Sequence, residues 1–542
     1  MLKSYDKFVK LTIQELSEMS ADFSRIKKKV SKLLQLPIPS NADLREIYEK
    51  LITQKKIQRQ PVFEKSLFSK KIRTRSGVAV VAVLTKPYSC PGKCLYCPSE
   101  KDMPKSYLKN EPAVMRAISV NFNPYAQVQK RLRSLELNGH KTDKIELIIM
   151  GGTFSYLPQN YQKWFVMECF RACNEYPNKN KACKESDFCN FTLEKEQKKN
   201  EKANRRIIGL TLETRPDYIS EKEILNFRKL GCTRVELGVQ TIFNDILLKN
   251  NRGHNVAETI RATKLLKNAG FKINYHIMPG LYGSTIKKDY QMFKTLFSSP
   301  DFQPDMLKIY PTVVLYDSEL YALWKNKKYT PLNDEQFKKF ILRIKKNFIP
   351  SYVRIARLVR DVPAESIIAG PKISNLRQLI AQKSHCQCIR CREVGANFIP
   401  QEKIVLNRMD YIASGGQEIF LEYVTENRQK LFALLRLRIV KNDEQSDLLP
   451  TLKNSAIIRE VHTYGKMTEI DKKNPLSPQH IGLGKKLVFE AEKIAKTEFG
   501  LKKIAVISGI GAREYYKKLG YGLKDSYMVK ILQKRTRVNK KI

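Results

Sequence analysis

Between residues 76 and about 370, short apolar runs alternate with longer amphipathic stretches. The apolar runs have the length of buried strands and lie at residues 78–84, 145–150, 207–213, 234–240 and 272–280. Apolar positions at helical spacing separate them, for instance at 220–230 and 256–269. Strands alternating with helices predict a parallel sheet, here curled into a partial (β/α) barrel. Chemistry in such barrels lies at the carboxyl ends of the strands, where this chain has Glu213, Arg215 and Gln240.

From about residue 401 the pattern changes to strands at 431–438, 456–462 and 503–508. A long helix at 485–499 follows a loop in which backbone N–H groups can approach a pyrophosphate, with Gln479, Gly482 and Gly484 in a Q-x-x-G-x-G spacing. After the last strand comes a helix with Tyr515 and Tyr516. The loop alone is a weak signal, but the order of these parts resembles the closing half of a GNAT-type acetyltransferase.

Residues 1–75 alternate apolar and basic positions at helical spacing, and Pro37 and Pro39 separate the predicted helices. Charge on a single helix is ordinarily a solvated face. Here the basic pattern continues through residues 70–75, beside the candidate active site. The stretch therefore favours a surface that holds nucleic acid.

The composition of the chain indicates a binding partner and a cellular compartment. A chain of 542 residues is too long for one core, so we expect two or three domains. Its formal net charge of +45 attracts a polyanion, and nucleic acid is the natural candidate. No apolar run is long enough to span a membrane, and no signal-peptide pattern opens the chain. Six of the 11 cysteines fall in two tight triplets, which indicates reduced thiols and a cytoplasmic protein.

The first cysteine triplet, Cys90, Cys94 and Cys97, directly follows the apolar run 78–84 in a C-x3-C-x2-C spacing. Three thiolates can hold three irons of a [4Fe-4S] cluster and leave the fourth iron without a protein ligand. That iron can chelate S-adenosylmethionine, whose reductive cleavage gives a 5′-deoxyadenosyl radical. The alternative is a zinc knuckle, but structural zinc usually takes four protein ligands, and no fourth Cys or His follows nearby.

The second triplet, Cys386, Cys388 and Cys391, has a C-x-C-x2-C spacing and is interpreted as a zinc site. A metal in this short loop could clip the two large domains together. The fourth ligand stays open: His385 is adjacent to Cys386, and His254 and His276 are other candidates. Three free thiols remain the alternative. Cys183 and Cys189 lie in a polar insertion at 177–204 and are more typical of scattered structural or solvent cysteines.

These pieces, in this order, resemble one family, the catalytic subunit of Elongator, which modifies the wobble uridine of tRNA. The resemblance runs from about residue 73 to 530 and rests on the cysteine loop and the segments 73–82, 150–154, 213–218, 236–240, 251–254, 308–312, 392–395 and 456–530. It implies four parts: a basic helical tRNA-binding region (1–75), a radical S-adenosylmethionine (SAM) domain (76–375), a zinc-binding linker (376–400) and a GNAT domain (401–542). The short gap between Cys90 and Cys94 and the intact second triplet look archaeal or bacterial, which favours a stand-alone enzyme.

The resemblance also implies a reaction, the carboxymethylation of carbon 5 of the wobble uridine in the anticodon stem-loop. SAM starts the radical chemistry and acetyl-CoA donates the two-carbon unit. The cluster ligands would be Cys90, Cys94 and Cys97. SAM would be held by Gly151, Gly152, Glu213 and Gln240. Acetyl-CoA would be held by Lys144, Glu460, Val461, His462, Thr463, Gln479, Gly482, Leu483, Gly484, Lys485 and Tyr516.

Within the acetyl-CoA site, Tyr516 is the expected proton donor to the thioester. Tyr515 points about 100° away around the helix and is expected in core packing or in contact with a cofactor ligand. Glu460 and His462 are the alternative catalytic groups.

Two other functions compete with tRNA modification. One is a protein lysine acetyltransferase with a structural iron–sulfur domain, and the other is a non-catalytic tRNA-binding platform. The intact cysteine loop argues against both, because a scaffold needs no open iron. A homodimer stays open as an assembly, whereas accessory Elongator subunits and a membrane are not expected as partners.

Overall fold

The computed structural model describes residues 2–18, 22–67, 77–177, 191–395, 399, 401–440, 449–465 and 482–532. Several sequence predictions fall outside these ranges, namely the basic run at 70–75, Cys183, Cys189 and Gln479. None of the helices in the described ranges combines the length and hydropathy needed to cross a bilayer.

Four helices form an N-terminal module: α1 (Leu2–Glu18), α2 (Phe23–Leu34), α3 (Asn41–Thr53) and α4 (Pro61–Ser66). Ser40 and Asp43 form a capping box that starts α3. The apolar faces of the four helices enclose a core of their own, in which Phe8, Tyr48 and Phe63 are buried. The module therefore has the packing of a separately folded unit.

The first sheet is the predicted partial barrel. It has seven parallel strands in the order β1-β2-β3-β4-β5-β6-β8. These strands are β1 (Ala79–Leu84), β2 (Lys144–Met150), β3 (Arg206–Thr214), β4 (Arg234–Gln240), β5 (Lys272–Ile277), β6 (Met306–Ile309) and β8 (Arg354–Arg357). The short β7 (Val314–Leu315) pairs with β9 (Ile367–Ala369) beside it.

Helices follow the strands and cover the outer face of this sheet. They are α5 (Pro112–Ile118), α6 (Pro124–Leu137), α7 (Gln159–Glu175), α8 (Leu193–Asn200), α9 (Glu221–Leu230), α10 (Asn244–Lys249), α11 (Val256–Asn268), α12 (Ile286–Ser298), α13 (Leu320–Lys325) and α14 (Asp334–Asn347). Their limits follow from local chemistry: Ser220 caps α9, Asn255 forms a capping box at α11, and Gly231 ends α9 in the left-handed conformation.

The second sheet contains strands in the order β10-β11-β12-β13-β14-β16-β15. They are β10 (Ile404–Ala413), β11 (Gly416–Thr425), β12 (Leu431–Val440), β13 (Ala456–Thr463), β14 (Lys503–Val506), β15 (Gly522–Lys524) and β16 (Tyr527–Ile531). The short helices α15 (Leu376–Leu379) and α16 (Ile389–Arg392) precede this sheet in the chain. Helices α17 (Leu483–Thr497) and α18 (Arg513–Lys517) lie in the chain between β13 and β15. The strands predicted at 431–438, 456–462 and 503–508 and the helix predicted at 485–499 are all present.

The two sheets share one continuous hydrophobic core. Backbone contacts reinforce the junction: Tyr527 donates its hydroxyl to the Ala269 carbonyl at 2.8 Å, and a Cβ on Gly270 would lie 3.0 Å from Ile457. The linker binds both sides, because Ile389 N–H donates to Val353 O at 2.9 Å and Val394 N–H donates to Leu431 O at 3.0 Å. The two sheets thus meet in one continuous buried junction.

A fully buried ion cluster lies in this junction. Arg459 of β13 donates to Asp305, just before β6, at 3.0 Å and to Glu418 of β11 at 2.8 Å. Lys267 lies 3.7 Å from Asp305 and 3.6 Å from Glu418. Burial opposes the charge of Asp305, but Arg459, Lys267 and Arg436 outweigh it and hold its pKa well below the usual range.

We expect Asp305→Asn to lower the free energy of unfolding by about 3–5 kcal/mol, because it leaves buried cations uncompensated. In the wild type, Asp305 contributes fully to the free energy of unfolding above about pH 4, which is the pKa of this carboxyl in the unfolded state. This stabilisation is lost as the pH falls towards the lower pKa of the folded state. Denaturant unfolding at neutral and acidic pH measures both effects. The exposed Asp301→Asn is the matched control, and equal stability of the two variants would contradict this role of the cluster.

Candidate active sites at the two ends of the half-barrel

The cysteine loop follows β1 at the carboxyl end of the first sheet. A turn closes it, with Cys97 N–H donating to Cys94 O at 3.1 Å. Leu95 ties the loop to its surroundings, since its N–H donates to Asn250 O at 3.2 Å and its carbonyl accepts from Leu320 N–H at 2.8 Å. At Gly92 a Cβ would lie 2.3 Å from a guanidinium nitrogen of Arg215, so any larger residue would displace that side chain. The loop is therefore held firmly over the end of the barrel.

Arginines lie near two of the three thiols, Cys94 and Cys97. Arg252 lies 3.4 Å from the Cys94 sulfur and also donates to the Gly238 carbonyl. A hydrogen bond from Cys97 and the Arg252 guanidinium lower the pKa of Cys94 to about 4, against the opposing effect of burial. By contrast, a hydrogen bond to Cys94 and burial raise the pKa of Cys97. The three thiols, with Cys94 buried and Cys90 and Cys97 half-buried, line one cavity and can serve as metal ligands there.

Two glycines after β2 shape the wall next to this loop. Gly151 has φ +136°, and a Cβ there would overlap the Thr85 hydroxyl at 1.9 Å. Gly152, at φ +99°, faces the cavity, with its nearest neighbour at 3.8 Å. Of the two glycines predicted beside SAM, the structure therefore places Gly152 on the cavity and Gly151 against β1.

Below the cysteine loop, a layer of charged groups crosses the interior of the barrel. Lys308 forms ion pairs with Glu236 and, at 3.3 Å, with Glu213. Glu236 also accepts from His276 at 2.9 Å. Burial opposes the charge of Glu236, but Lys308 and His276 hold its pKa well below the usual range. Three possible metal ligands meet here, but the Lys308 ammonium already compensates their charge, so we interpret the group as an ion-pair layer.

Gln240 ends β4 with φ +70°, a conformation that non-glycine residues rarely adopt. Its side-chain oxygen is buried without a partner in the described part of the chain. Glu213 accepts a hydrogen bond from Tyr107 at 2.8 Å. Both residues line the cavity behind the cysteine loop, together with Gly152 and Arg252. The structure thus brings Gly152, Glu213 and Gln240 to the cavity that the three cysteines also line, whereas Gly151 lies outside its lining.

The second site lies at the opposite, amino-terminal end of the barrel. Strands β13 and β14 pair in parallel only from Ala456 to Ile458 and then separate, while β13 continues to Thr463. The gap opens onto a cavity of about 490 Å³. Of the predicted acetyl-CoA residues, this cavity is lined by Glu460, Val461, His462 and Tyr516.

Glu460 is clamped between the two sheets. It accepts from Lys272 of β5 at 3.1 Å and from Arg436 of β12 at 2.9 Å. Burial opposes its charge, but Lys272 and Arg436 hold the pKa of Glu460 well below the usual range. A carboxylate so stabilised in its ionised form is a weak general base near neutral pH.

The two tyrosines of α18 differ in burial. Tyr516 is 6% exposed and lines the cavity, and burial raises its pKa well above the usual range. Tyr515 is 41% exposed, so it does not lie in the core, which was the first of the two places expected for it. A Cβ on Gly484 would lie 3.3 Å from both the Tyr515 hydroxyl and the Thr463 hydroxyl. Tyr515 therefore flanks the start of α17.

The remaining predicted acetyl-CoA residues lie around that helix start or at its margin. Gly482 precedes α17 with φ +78°, and Leu483, Gly484 and Lys485 form its first turn. Lys144 begins β2 beside Arg206, whose Cβ lies 2.5 Å from a Cβ built on Gly511. Lys144 is thus next to the domain junction but does not line the cavity.

The second cysteine triplet does come together. The sulfurs of Cys386, Cys388 and Cys391 all lie within 4.8 Å of one another, as ligands of one tetrahedral metal must. No histidine in the described ranges joins them. His254 and His276 are wrong as fourth-ligand candidates, because His254 faces the Gly238 carbonyl and His276 faces Glu236, both in the barrel interior.

Sequence reasoning missed the charged interior of the barrel as part of the site. Its members are Glu146, Arg234, Glu236, Lys272, His276, Lys308, Arg354 and Arg357. The available signal was charge at alternate positions of otherwise apolar strands, as at Arg234 and Glu236 of β4. Arg252 had no local signal, because it reaches Cys94 across 158 positions of sequence.

Family models match the part of the chain that contains the first sheet, and individual relatives match nearly the whole chain. Residues 86–296 match the model of the radical SAM superfamily, and residues 304–385 match that of the radical SAM C-terminal domain. The tRNA uridine(34) acetyltransferase of Methanocaldococcus infernus is 44% identical over 98% of this chain and 98% of its own length. That of Dehalococcoides mccartyi is 43% identical over 85% and 99%. Human Elongator complex protein 3 is 37% identical over 88% of each chain.

One solved structure is similar along most of the chain. It is the archaeal Methanocaldococcus infernus Elp3 with an N-terminal deletion (1–46), and it is 44% identical in sequence. The match covers 84% of this chain and 99% of that one, with a TM-score of 0.70.

Proposed function

The chain belongs to the radical SAM superfamily and to the family of tRNA uridine(34) acetyltransferases and Elongator complex protein 3, and from this premise we propose a stand-alone tRNA-modifying enzyme. In this proposal it places a carboxymethyl group on carbon 5 of the anticodon wobble uridine. The two carbons come from acetyl-CoA. One observation carries the proposal: the cysteine-loop cavity and the Glu460–Tyr516 cavity lie at opposite ends of one half-barrel, within a structure whose two sheets share one core.

At the first site, Cys90, Cys94 and Cys97 would hold the cluster, and the thiolate-stabilising surroundings of Cys94 support this assignment. A [4Fe-4S] cluster with SAM supplies a carbon-centred radical when bound. Gly152 leaves room for the amino acid part of SAM, and Gln240 and Glu213 offer polar groups to it. Arg252, fixed by the Gly238 carbonyl, keeps positive charge beside the thiolates.

At the second site, the separated strands β13 and β14 would admit the pantetheine arm of acetyl-CoA. Backbone N–H groups of Gly482, Leu483, Gly484 and Lys485 would meet the pyrophosphate. Tyr516 holds its proton throughout the accessible pH range, because burial raises its pKa. Its hydroxyl can therefore donate a hydrogen bond to the thioester carbonyl or to the departing sulfur.

Radiolabelled acetyl-CoA hydrolysis tests the substrate class. We expect tRNA to stimulate the release of acetate and basic peptides to leave it unchanged, since a basic surface repels them. If basic peptides alone stimulate the release of acetate, the protein is instead a protein lysine acetyltransferase.

We further propose zinc at Cys386, Cys388 and Cys391, where it would clip the linker to both sheets. Elemental analysis should find about one zinc per chain, also in a triple variant with alanine at Cys90, Cys94 and Cys97. Cys388→Ser should lose the metal and lower Tm, because a structural ion contributes to the folding free energy. A metal-free wild type with an unchanged Tm in Cys388→Ser would contradict the clip.

The N-terminal module is proposed to bind tRNA through its basic faces. Deleting residues 1–67 should weaken tRNA binding by at least about tenfold at low salt and flatten the salt dependence, because fewer counterions are released. Filter binding across a salt series measures both quantities. Lys28→Glu with Lys32→Glu, at two exposed positions of α2, should reproduce part of the loss with the module intact. If the salt dependence of tRNA binding is unchanged in both the deletion and the double variant, the tRNA binds to another surface of the protein.

A further inference from the structure

Two clusters of aromatic side chains lie at the carboxyl end of the half-barrel and have no part in either site described above. The first cluster, the rim tyrosines, consists of Tyr88, Tyr156 and Tyr218, which follow the ends of the neighbouring strands β1, β2 and β3. The ring centroids of Tyr88 and Tyr156 lie 6.1 Å apart, and those of Tyr156 and Tyr218 lie 5.7 Å apart. Three separate loops thus bring their tyrosines to one place.

The rim tyrosines face solvent beside the cysteine loop. Tyr88 is 41% exposed and stands two positions before Cys90, and Tyr156 is 40% exposed. Tyr218 is half-buried near Cys90, with the Arg215 guanidinium 5.9 Å from the centre of its ring. Single exposed tyrosines need no explanation, but neighbouring ones at the mouth of a cavity indicate a surface that binds a partner.

The second cluster, the outer aromatics, consists of Tyr316, Tyr321 and Trp324, after β7 and on α13. The ring centroids of Tyr316 and Tyr321 lie 5.2 Å apart, and those of Tyr321 and Trp324 lie 5.8 Å apart. Tyr316 is 69% exposed. The backbone joins this cluster to the end of the cysteine loop, because Ser99 N–H donates to the Asp317 carbonyl at 3.1 Å. The cysteine loop thus has an aromatic cluster at each of its two ends.

The charge around the clusters indicates the class of partner. Exposed lysines outnumber exposed carboxylates in the segments 88–99 and 316–328. The lysines are Lys93, Lys325, Lys327 and Lys328, and the carboxylates are Asp317 and Glu319. Exposed aromatic rings among cations are typical of surfaces for single-stranded RNA, where bases stack on the rings and cations face the phosphates.

The depth of the neighbouring cavity explains why such a surface is needed. The cavity extends behind the cysteine loop as far as the ion-pair layer of Glu236 and Lys308. A base that reacts there must leave its stack, as bases do in other enzymes that act on them. Its two neighbours in the RNA then lose a stacking partner at the mouth of the cavity. Aromatic rings at that position can replace the lost stacking.

We propose that the rim tyrosines and the outer aromatics are stacking surfaces for the unpaired bases that flank the modified uridine in the RNA loop. This inference rests on the proposed function and adds to it the contacts that hold the loop open. Every base has a π-face, so these surfaces require unpaired bases but tolerate different ones.

Binding of a fluorescent anticodon stem-loop by the cofactor-free protein tests the stacking. Tyr88→Ala combined with Tyr156→Ala, and separately Tyr316→Ala, should each weaken binding by at least about fivefold, the loss expected for one base–aromatic stack. The salt dependence should stay unchanged, because neither variant removes a cation. Tyr88→Phe with Tyr156→Phe should bind within about twofold of the wild type. Phe489→Ala, at a 45% exposed position of α17, is the matched control and should bind normally.

Two further RNAs locate the contact on unpaired bases. The alanine variants should bind a fully paired duplex as the wild type does. Their defect with the stem-loop should disappear when the flanking nucleotide that stacks on the changed residue is made abasic. Undiminished stem-loop affinity in either alanine variant, or an equal loss of affinity for the duplex, would overturn the proposal.

If the alanine variants do not fold, photocrosslinking of the wild type decides. A stem-loop with 5-iodouridine next to the wobble position should crosslink to peptides that contain Tyr88, Tyr156, Tyr218 or Tyr316. Crosslinks confined to other peptides would overturn the proposal. Neither readout depends on the radical chemistry, so a wild type that meets both expectations but makes no modified uridine would refute the proposed function and leave the stacking surfaces standing.

Discussion

Cys94→Ala should abolish the iron–sulfur absorbance of the anaerobically reconstituted protein and reduce SAM cleavage to background. Three thiolates are the minimum that leaves one iron open, so the loss of one removes the cluster. Cys94 is the most buried of the three and is held beside Arg252. Visible absorbance, iron content and 5′-deoxyadenosine formation under a strong reductant measure the effect, and the wild type should carry about four irons at this site.

A matched control separates this loss from general damage. Cys173 is a buried thiol of α7, in the hydrophobic core and away from the cysteine loop. Cys173→Ala should keep both the absorbance and SAM cleavage. A Cys94→Ala protein that retains its iron and cleaves SAM would disprove the cluster assignment.

Tyr516→Phe should lower acetyl-CoA turnover by on the order of a hundredfold with little change in tRNA affinity. The substitution keeps the buried ring and removes only the hydroxyl that faces the cavity, and one such donor is typically worth that much. Tyr515→Phe, on the same helix at a 41% exposed position, should stay within about threefold. Steady-state hydrolysis of acetyl-CoA in the presence of tRNA provides the comparison.

Two other results would change the assignment of the catalytic group at this site. Wild-type turnover in Tyr516→Phe would show that the reaction does not use its hydroxyl. His462 or water would then be the remaining candidates for the catalytic group. A larger loss in Tyr515→Phe than in Tyr516→Phe would assign the donor to the tyrosine beside Gly484. Glu460 is the weaker alternative, because its carboxylate is ionised and paired with Lys272 and Arg436.

Local patterns in the sequence predict the elements of the fold well. The apolar runs at 145–150 and 234–240 are strands β2 and β4, and the helix predicted at 220–230 begins one residue after its Ser220 cap. Period and capping are properties of neighbouring residues, so they can be read without tertiary information. The cysteine triplets were equally visible, because metal-ligand spacing is also local.

What the sequence could not predict depends on contacts across long separations. The ion cluster of Asp305 and Arg459 joins residues 154 positions apart, and neither has a partner within its own element. The position of Tyr515 depends on how α18 packs against α17, which helical geometry alone does not fix. The assignment of His276 to the barrel interior follows from its partner Glu236 on the neighbouring strand.

The most direct test of the account supplies all the substrates at once. Reconstituted protein is incubated anaerobically with tRNA, SAM, a reductant and acetyl-CoA carrying ¹³C in both acetyl carbons, and the tRNA nucleosides are analysed by mass spectrometry. The account predicts 5-carboxymethyluridine at the wobble position that contains both labelled carbons, and none when the Cys94→Ala protein is used. Unmodified tRNA alongside label recovered only as acetate or as acetyl-lysine would contradict it.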